Sequence, residues 1–315
     1  PSVEIEPTVQ DIDGRVELKA LVRGPALPQE ARFDISGERE QLSALVDSLA
    51  AQISEALLLG ETADRWLPLG AKPTTRPGID VWLRAEHAYI TGEYEKADSL
   101  YREAESKDAT CALCVYRLND IDRWFGRGAK PERIRWLVQH SDRFPAHYQT
   151  LIRANALPWP ARFDSLRAAA AASKEFALAW FAAGDEAFHR APLHGGTRRQ
   201  AMELLVQATN LKPRFAPGWE HVAWLSLATG DRGTAARALD SLNNAPVGGA
   251  FPVALRTLLG LGFAYRFLPE DQAREATDKV FLDPRIRAYP QVAAGPRVLM
   301  TMGSPNGALY FGKLF

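Results

Sequence analysis

The stretch Gly92–Asp108 reads GEYEKADSLYREAESKD and sets Gly92, Tyr94, Ala97, Tyr101 and Ala104 at offsets 0, 2, 5, 9 and 12. Glycine at its head turns the chain out of a preceding helix. The small alanines let a neighbouring helix approach, and the tyrosines fill the groove between the two. Asp80–Ile90 is expected as the first helix and Glu93–Ser106 as the second. Further along, Phe176-Ala-Leu-Ala-Trp-Phe-Ala-Ala-Gly aligns with Phe215-Ala-Pro-Gly-Trp-Glu-His-Val-Ala at an offset of 39. That alignment sets Phe176 over Phe215, Trp180 over Trp219 and Gly184 over Ala223, with Leu166 and Ala169 over Leu205 and Ala208. Helical patterning between them, around Trp124, Trp136, Phe144 and Tyr148, is more degenerate.

The Gly92–Asp108 pattern resembles the second helix of a tetratricopeptide repeat. The resemblance implies a mainly α fold, a tetratricopeptide-like α-solenoid of helical hairpins spanning residues 80–287. The 39-residue spacing exceeds the ~34 of a standard unit, with the insertion at Ala191–Gly196. Asn210-Leu-Lys-Pro213 ends one unit, and Gly230-Asp231 turns into Ala235, Ala238 and Leu239. Such hairpins have apolar faces that only stacked neighbours cover, so the ends need caps. Stacked first helices would line a concave face able to hold a peptide or helix.

Residues 1–60 carry a different period. Arg15-Val-Glu-Leu-Lys-Ala20 and Ala31-Arg-Phe-Asp-Ile35 alternate as half-buried strands, and Asp13-Gly14 signals a hairpin back to Val3–Gln10. Leu42, Leu45, Val46, Leu49, Ile53 and Leu57 then form a helical stripe. The expectation is a partial α/β cap of two or three strands and one helix. Residues 9–58, through the DG-R-V-x-L-x-A strand and the LVDSLA helix, resemble a small α/β domain of bacterial membrane-anchored signalling proteins. That domain precedes tetratricopeptide arrays, including those of serine/threonine kinases with extracytoplasmic repeats. Its usual earlier strands are missing here, and no kinase motif is present. Residues 61–79 read as a linker and 288–315 as an irregular tail, which could cap the last hairpin, dock into a neighbour or stay disordered.

Lys+Arg and Asp+Glu both total 38, and neither half is markedly basic, which argues against nucleic acid as the main ligand. The apolar run Gly249–Leu268 carries Arg256 and Arg266 and reads as a buried helix, so no transmembrane span is expected in this chain. The sequence opens at Pro1 without methionine, which reads as a processed or truncated amino terminus with room upstream for a signal or anchor.

Chemistry is sparse. Cys111 and Cys114 are the only cysteines, open to three readings: small buried helical residues, a disulfide or redox pair, or a shared metal site. Asp11-Ile-Asp-Gly14 lacks the twelfth-position glutamate of a calcium loop, where Val22 stands. His87, His140, His147, His189, His194 and His221 show no metal spacing, so neither a metal nor a cofactor is expected. His194, Gly195, Gly196, Thr197 and Arg198 form a possible anion loop, though Thr197 is equally a plain helix cap. The aspartates of Asn119-Asp-Ile-Asp122 read as a solvated or ion-paired face rather than a paired-carboxylate acid/base site. Trp180 and Trp219 are expected in the core.

Trp224, Tyr310, Phe311 and Phe315 are the candidate protein-binding residues. The expected function is a non-catalytic scaffold or adaptor with no catalytic residues, periplasmic or otherwise extracytoplasmic, with a cytoplasmic site as the alternative. Its partners would be proteins, possible subunits of a membrane-associated bacterial assembly, or further copies of itself. The competing expectation is a sensory or ligand-binding region of a larger signalling enzyme such as a receptor kinase.

Overall fold

The computed structural model describes residues 3–24, 30–59, 68–124, 127–128, 130–190, 196–245, 250–284 and 294–314. The fold is mainly α, tetratricopeptide-like helical hairpins following a three-stranded antiparallel sheet. The chain divides into two compact units, Pro1–Pro145 and Ala146–Phe315.

The first unit opens with β1 (Glu4–Ile12), β2 (Arg15–Arg23) and β3 (Ala31–Glu38), a meander in the order β1-β2-β3. Ile12 pairs with Arg15 across a two-residue turn in which Asp13 and Gly14 have φ of 53° and 85°, the mirror-image turn that suits strand twist. α1 (Leu42–Leu59) covers one face: Leu45, Leu49 and Ile53 bury against Val16, Leu18, Ala20 and Val22, with Phe33, Ile35 and Leu57 at the margin. Leu42 and Val46, expected in the same stripe, are exposed, since the face turned to the sheet is that of Leu45, Leu49 and Ile53. Every residue of β1 is exposed, including Ile5 and Val9, which register with Val22 and Leu18 on the helix-bearing face.

Two hairpins complete this unit: α2 (Arg76–Ile90) with α3 (Tyr94–Lys107), and α4 (Ala112–Trp124) with α5 (Pro131–Gln139). Gly92 turns the first hairpin with φ 76°, a conformation costly for any residue with a Cβ. Ala97, Tyr101 and Ala104 are fully buried where α3 packs on α2, and the Tyr101 ring lies 6.2 Å from that of Tyr89. α2 starts at Arg76, four residues earlier than the linker reading expects, because Thr75 caps it by accepting from the Gly78 N–H and Pro77 occupies the first turn.

A buried carboxylate fixes that start. Asp108 accepts from the N–H groups of Thr74 (2.6 Å), Thr75 (2.8 Å) and Thr110 (2.9 Å) and from the Thr110 hydroxyl (2.5 Å). Burial alone would raise its pKa, but these donors outweigh burial and hold the carboxyl well below the usual range. The sign of the pH effect follows. A depressed folded pKa adds stability above the unfolded value, about 3.9, and that stability is lost as pH falls towards the folded value. Asp108→Asn is therefore expected to cost about 2 kcal/mol at pH 7, as the loss of hydrogen bonds to a charged group does. In urea unfolding from pH 7 to pH 3 the gap between wild type and variant should narrow below about pH 4. A gap that stays constant would remove Asp108 as the cause.

Cys111 and Cys114 are joined in a disulfide at the start of α4, with Cα atoms 5.3 Å apart and both residues fully buried. Asp122 is not on a solvated face. It is fully buried and faces Arg133 (2.6 Å), Arg127 (3.2 Å), Lys130 (3.8 Å) and Arg102 (3.9 Å), so cations replace the water it loses.

The second unit is a run of hairpins: α6 (Ala146–Asn155) with α7 (Ala161–Ala172), α8 (Ala177–Arg190) with α9 (Arg198–Leu211), and α10 (Ala216–Thr229) with α11 (Arg232–Asn244). α12 (Ala250–Phe267) pairs with α13 (Glu270–Leu282), and α14 (Gly295–Thr301) with α15 (Pro305–Leu314). Gly184 permits the tight α8–α9 contact, since a Cβ there would lie 2.7 Å from Leu205 Cγ and 3.2 Å from its backbone nitrogen. Phe176 packs on Tyr148 at 4.9 Å, and Phe215 on Phe181 at 4.9 Å.

Trp180 and Trp219 are half-exposed rather than core residues. Each indole N–H instead donates to a carbonyl six residues back, Lys174 (3.0 Å) and Pro213 (2.7 Å), closing equivalent inter-hairpin loops. Where the expected irregular tail is described, it carries the two helices α14 and α15 joined by a short turn at 302–304. Phe311 is fully buried among Ala254, Leu258, Leu261 and Leu299, with its ring 4.8 Å from that of Phe281.

Candidate functional site

In the second unit α8, α10 and α12 are successive first helices, α10 touching both α8 and α12, while α9 and α11 are the second helices of their hairpins. Asp185 and His189 lie one turn apart on α8, an i, i+4 pair on a single face. His221 reaches the same point from α10. Asp185 Oδ1 lies 3.4 Å from His189 Nε2 and 3.2 Å from His221 Nε2. The two ring nitrogens and a carboxylate oxygen lie within 4.8 Å of one another.

His221 is fixed in its seat. Its Nδ1 lies 2.8 Å from the Pro217 carbonyl, which can only accept, so Nδ1 carries a proton and Nε2 is the atom turned to Asp185. Phe188 packs edge-on against His221 (4.7 Å), His189 (4.9 Å) and Trp224 (5.6 Å), and Phe181 stands 5.7 Å from His221. Aromatic rings thus wall the polar group on the helix side. Side-chain exposure is 58% for His189 but only 17% and 16% for His221 and Asp185, so the cluster opens to solvent past His189.

The electrostatics follow the packing. Burial would raise the Asp185 carboxyl, but hydrogen bonds with His189 and His221 and their charges drive it well below the ordinary range. Burial lowers the His221 imidazole, yet Asp185 outweighs this and raises it. Glu220, next along α10, is pushed up to about 7 by burial, with His221 and Arg256 pulling the other way.

Along the chain the histidines show no metal spacing, yet the fold brings two of them to one carboxylate. Within either hairpin no His-x-x-x-His pair exists, because the third group comes from the next repeat. The signal was available: Asp185 and His189 share a face, and the 39-residue offset sets His221 level with Ala182, one turn from Asp185.

Other candidate residues are dispersed. Trp224 is half-exposed at the rim of this cluster. Tyr310 is held to α13, its hydroxyl donating to Asp278 (2.9 Å) and its ring 5.2 Å from the Arg274 guanidinium. Phe311 is a correction: the small Gly295 opposite its ring lets it enter the core, so it presents no surface to a partner. Phe315, His194 and Gly195 lie outside the described residues. Gly196 and Arg198 flank Thr197, which forms a capping box with Gln200, each side chain accepting from the other residue's N–H. That box occupies two of the helix-start donors an anion would use.

Among the described residues no helix is long and apolar enough to cross a membrane. No protein-family description matches the sequence, and no curated protein matches it. Solved structures to which the chain is similar include the following two. Yeast Tom70 shares 12% identity with a TM-score of 0.43, over 87% of this chain and 69% of its own. The assembly chaperone of RpL4, Acl4 (residues 1–338), shares 15% identity with a TM-score of 0.29, over 85% of this chain and 94% of its own.

Proposed function

We propose that this chain is a non-catalytic protein-binding scaffold whose working surface is the first-helix layer formed by α8, α10 and α12. The observation that carries this reading is the composition of that layer around Trp224. Half-exposed Phe188 and Trp224 stand in edge-to-face contact beside Asp185, His189, Glu220 and His221. Aromatic anchors ringed by polar groups are the usual make-up of a binding hot spot.

The setting is a membrane-associated bacterial assembly outside the cytoplasm. The Cys111–Cys114 disulfide supports it, since such bonds persist in oxidising compartments. The likeness of residues 9–58 to a cap domain of anchored signalling proteins supports it too. That same likeness favours a second reading, in which the chain is the sensory part of a larger signalling enzyme.

Comparative capture from native membranes tests the scaffold reading. Tag-purified wild type and Trp224→Ala are each incubated with solubilised membranes and the retained proteins quantified by mass spectrometry. A protein held by wild type should fall at least about tenfold with the variant, the scale of a hot-spot loss, while both chains unfold at the same denaturant midpoint. Identical retained sets would contradict the reading. A retained protein carrying the catalytic half of a kinase would favour the sensory one.

A further inference from the structure

We propose that Asp185, His189 and His221 form a site for a divalent transition-metal ion of the zinc class. The donor set is two imidazole nitrogens and one carboxylate oxygen, which suits zinc and its first-row neighbours rather than magnesium or calcium, whose ligands are oxygens.

Two of the three ligand–ligand distances fit that ion, and the third, between the two ring nitrogens, lies within 4.8 Å. With metal–ligand bonds of 2.0–2.1 Å, two ligands of a tetrahedral ion stand about 3.3 Å apart. Asp185 Oδ1 lies 3.4 Å from one Nε2 and 3.2 Å from the other. An ion seated among the three atoms thus needs little rearrangement at the carboxylate.

Orientation is the second, independent observation. The Pro217 carbonyl takes the Nδ1 proton of His221 at 2.8 Å, and this is how metal-binding histidines are ordinarily held, the far nitrogen on a carbonyl and the near one on the ion. Phe181 and Phe188 pack on the same ring at 5.7 and 4.7 Å and restrict its rotation. Three protein ligands leave at least one coordination position, and with His189 58% exposed, water or a group from outside the chain can reach the cluster.

Because the ligands come from two successive hairpins, the ion would tie α8 to α10. Binding should therefore stabilise the second unit by mass action. The proposal does not rest on the protein-binding reading. A metal-loaded chain need not capture any protein, and capture through Trp224 needs no metal.

The test uses the full chain with its tag removed and metal stripped by chelator. Cobalt(II) is added while visible absorption is followed, then zinc is added in competition, and native mass spectrometry counts the ions. The expected result is one ion per chain, a cobalt d–d band of an imidazole–carboxylate site, and its loss when zinc displaces cobalt. His189→Ala should weaken binding at least about tenfold, since altering even the outer partners of a metal site costs 10–100-fold. His189 is solvent-exposed, so the variant's fold is not at stake. His221→Ala and Asp185→Asn should behave alike, and His140→Ala, in the other unit, should bind as wild type does. Failure of wild type to take up cobalt, or uptake undiminished in His189→Ala, would overturn the proposal and leave an imidazole–carboxylate hydrogen-bond cluster.

Discussion

Arg117→Met is expected to cost the first unit about 3–5 kcal/mol, the loss seen when one partner of a buried ion pair is removed. Glu86 on α2 is fully buried, and Arg117 on α4 is 5% exposed. The guanidinium grips both carboxylate oxygens, Nε to Oε1 at 3.1 Å and Nη2 to Oε2 at 3.2 Å, and lies 4.4 Å from the Tyr89 ring centroid. From α3, the Tyr101 hydroxyl donates to the same Oε1 at 2.7 Å. One carboxylate thus holds three helices together.

Without Arg117 the charge stays buried with a single neutral donor. Methionine fills the volume but returns nothing to the carboxylate. Adding Glu86→Gln should recover much of the loss, because the amide oxygen still accepts from Tyr101 and carries no charge. Denaturant unfolding of the two single variants, the double variant and wild type gives the coupling. Additive losses would mean the pair does not interact as described.

Phe311→Ala is the second large effect, about 3–5 kcal/mol on the second unit, as for other buried phenylalanines cut to alanine. The ring fills the space between α12, α13 and Gly295, whose missing side chain makes room for it; a Cβ there would fall 2.4 Å from the ring. Leu309 provides the contrast. It lies two residues away on the same helix and is 68% exposed, so Leu309→Ala should change stability by no more than about 0.5 kcal/mol. Hydrogen exchange across 295–314 should accelerate in the first variant and not in the second. A Phe311→Ala chain as stable as wild type would instead return that ring to the surface.

Legibility in the sequence followed locality. Gly92, Ala97, Tyr101 and Ala104 were readable because hairpin contacts are made within about one repeat, and their spacing is that of a helix face. The Asp13-Gly14 turn and the β2 alternation were readable for the same reason, with period two in place of 3.6. The aligned tryptophans were found but misplaced. Pattern identifies Trp180 and Trp219 as equivalent, yet only the loop geometry reveals that their N–H groups bind carbonyls at the rim.

The tail misled through composition. Glycines at 295 and 307 suggested irregular chain, whereas they admit the Phe311 and Tyr265 rings and so permit close helix packing. The Glu86–Arg117 pair and the Asp185–His189–His221 cluster join residues 31 and 36 positions apart at their widest. No local motif encodes such meetings, because they depend on how successive hairpins stack; only the 39-residue offset, which sets His221 level with Ala182, points to the second.

The central claim is that the first-helix layer of α8, α10 and α12 is the surface this chain uses. Site-specific photo-crosslinking tests it most directly. A benzophenone amino acid replaces Trp224 in one chain and Arg199, 88% exposed on α9, the second helix of its hairpin, in another. Each is irradiated in native extract, with and without excess unlabelled wild type as competitor. The expected result is discrete adducts from position 224 that wild type competes away and Trp224→Ala does not, with no such adduct from position 199. The same adducts from both positions, or adducts from 224 that wild type leaves untouched, would contradict it.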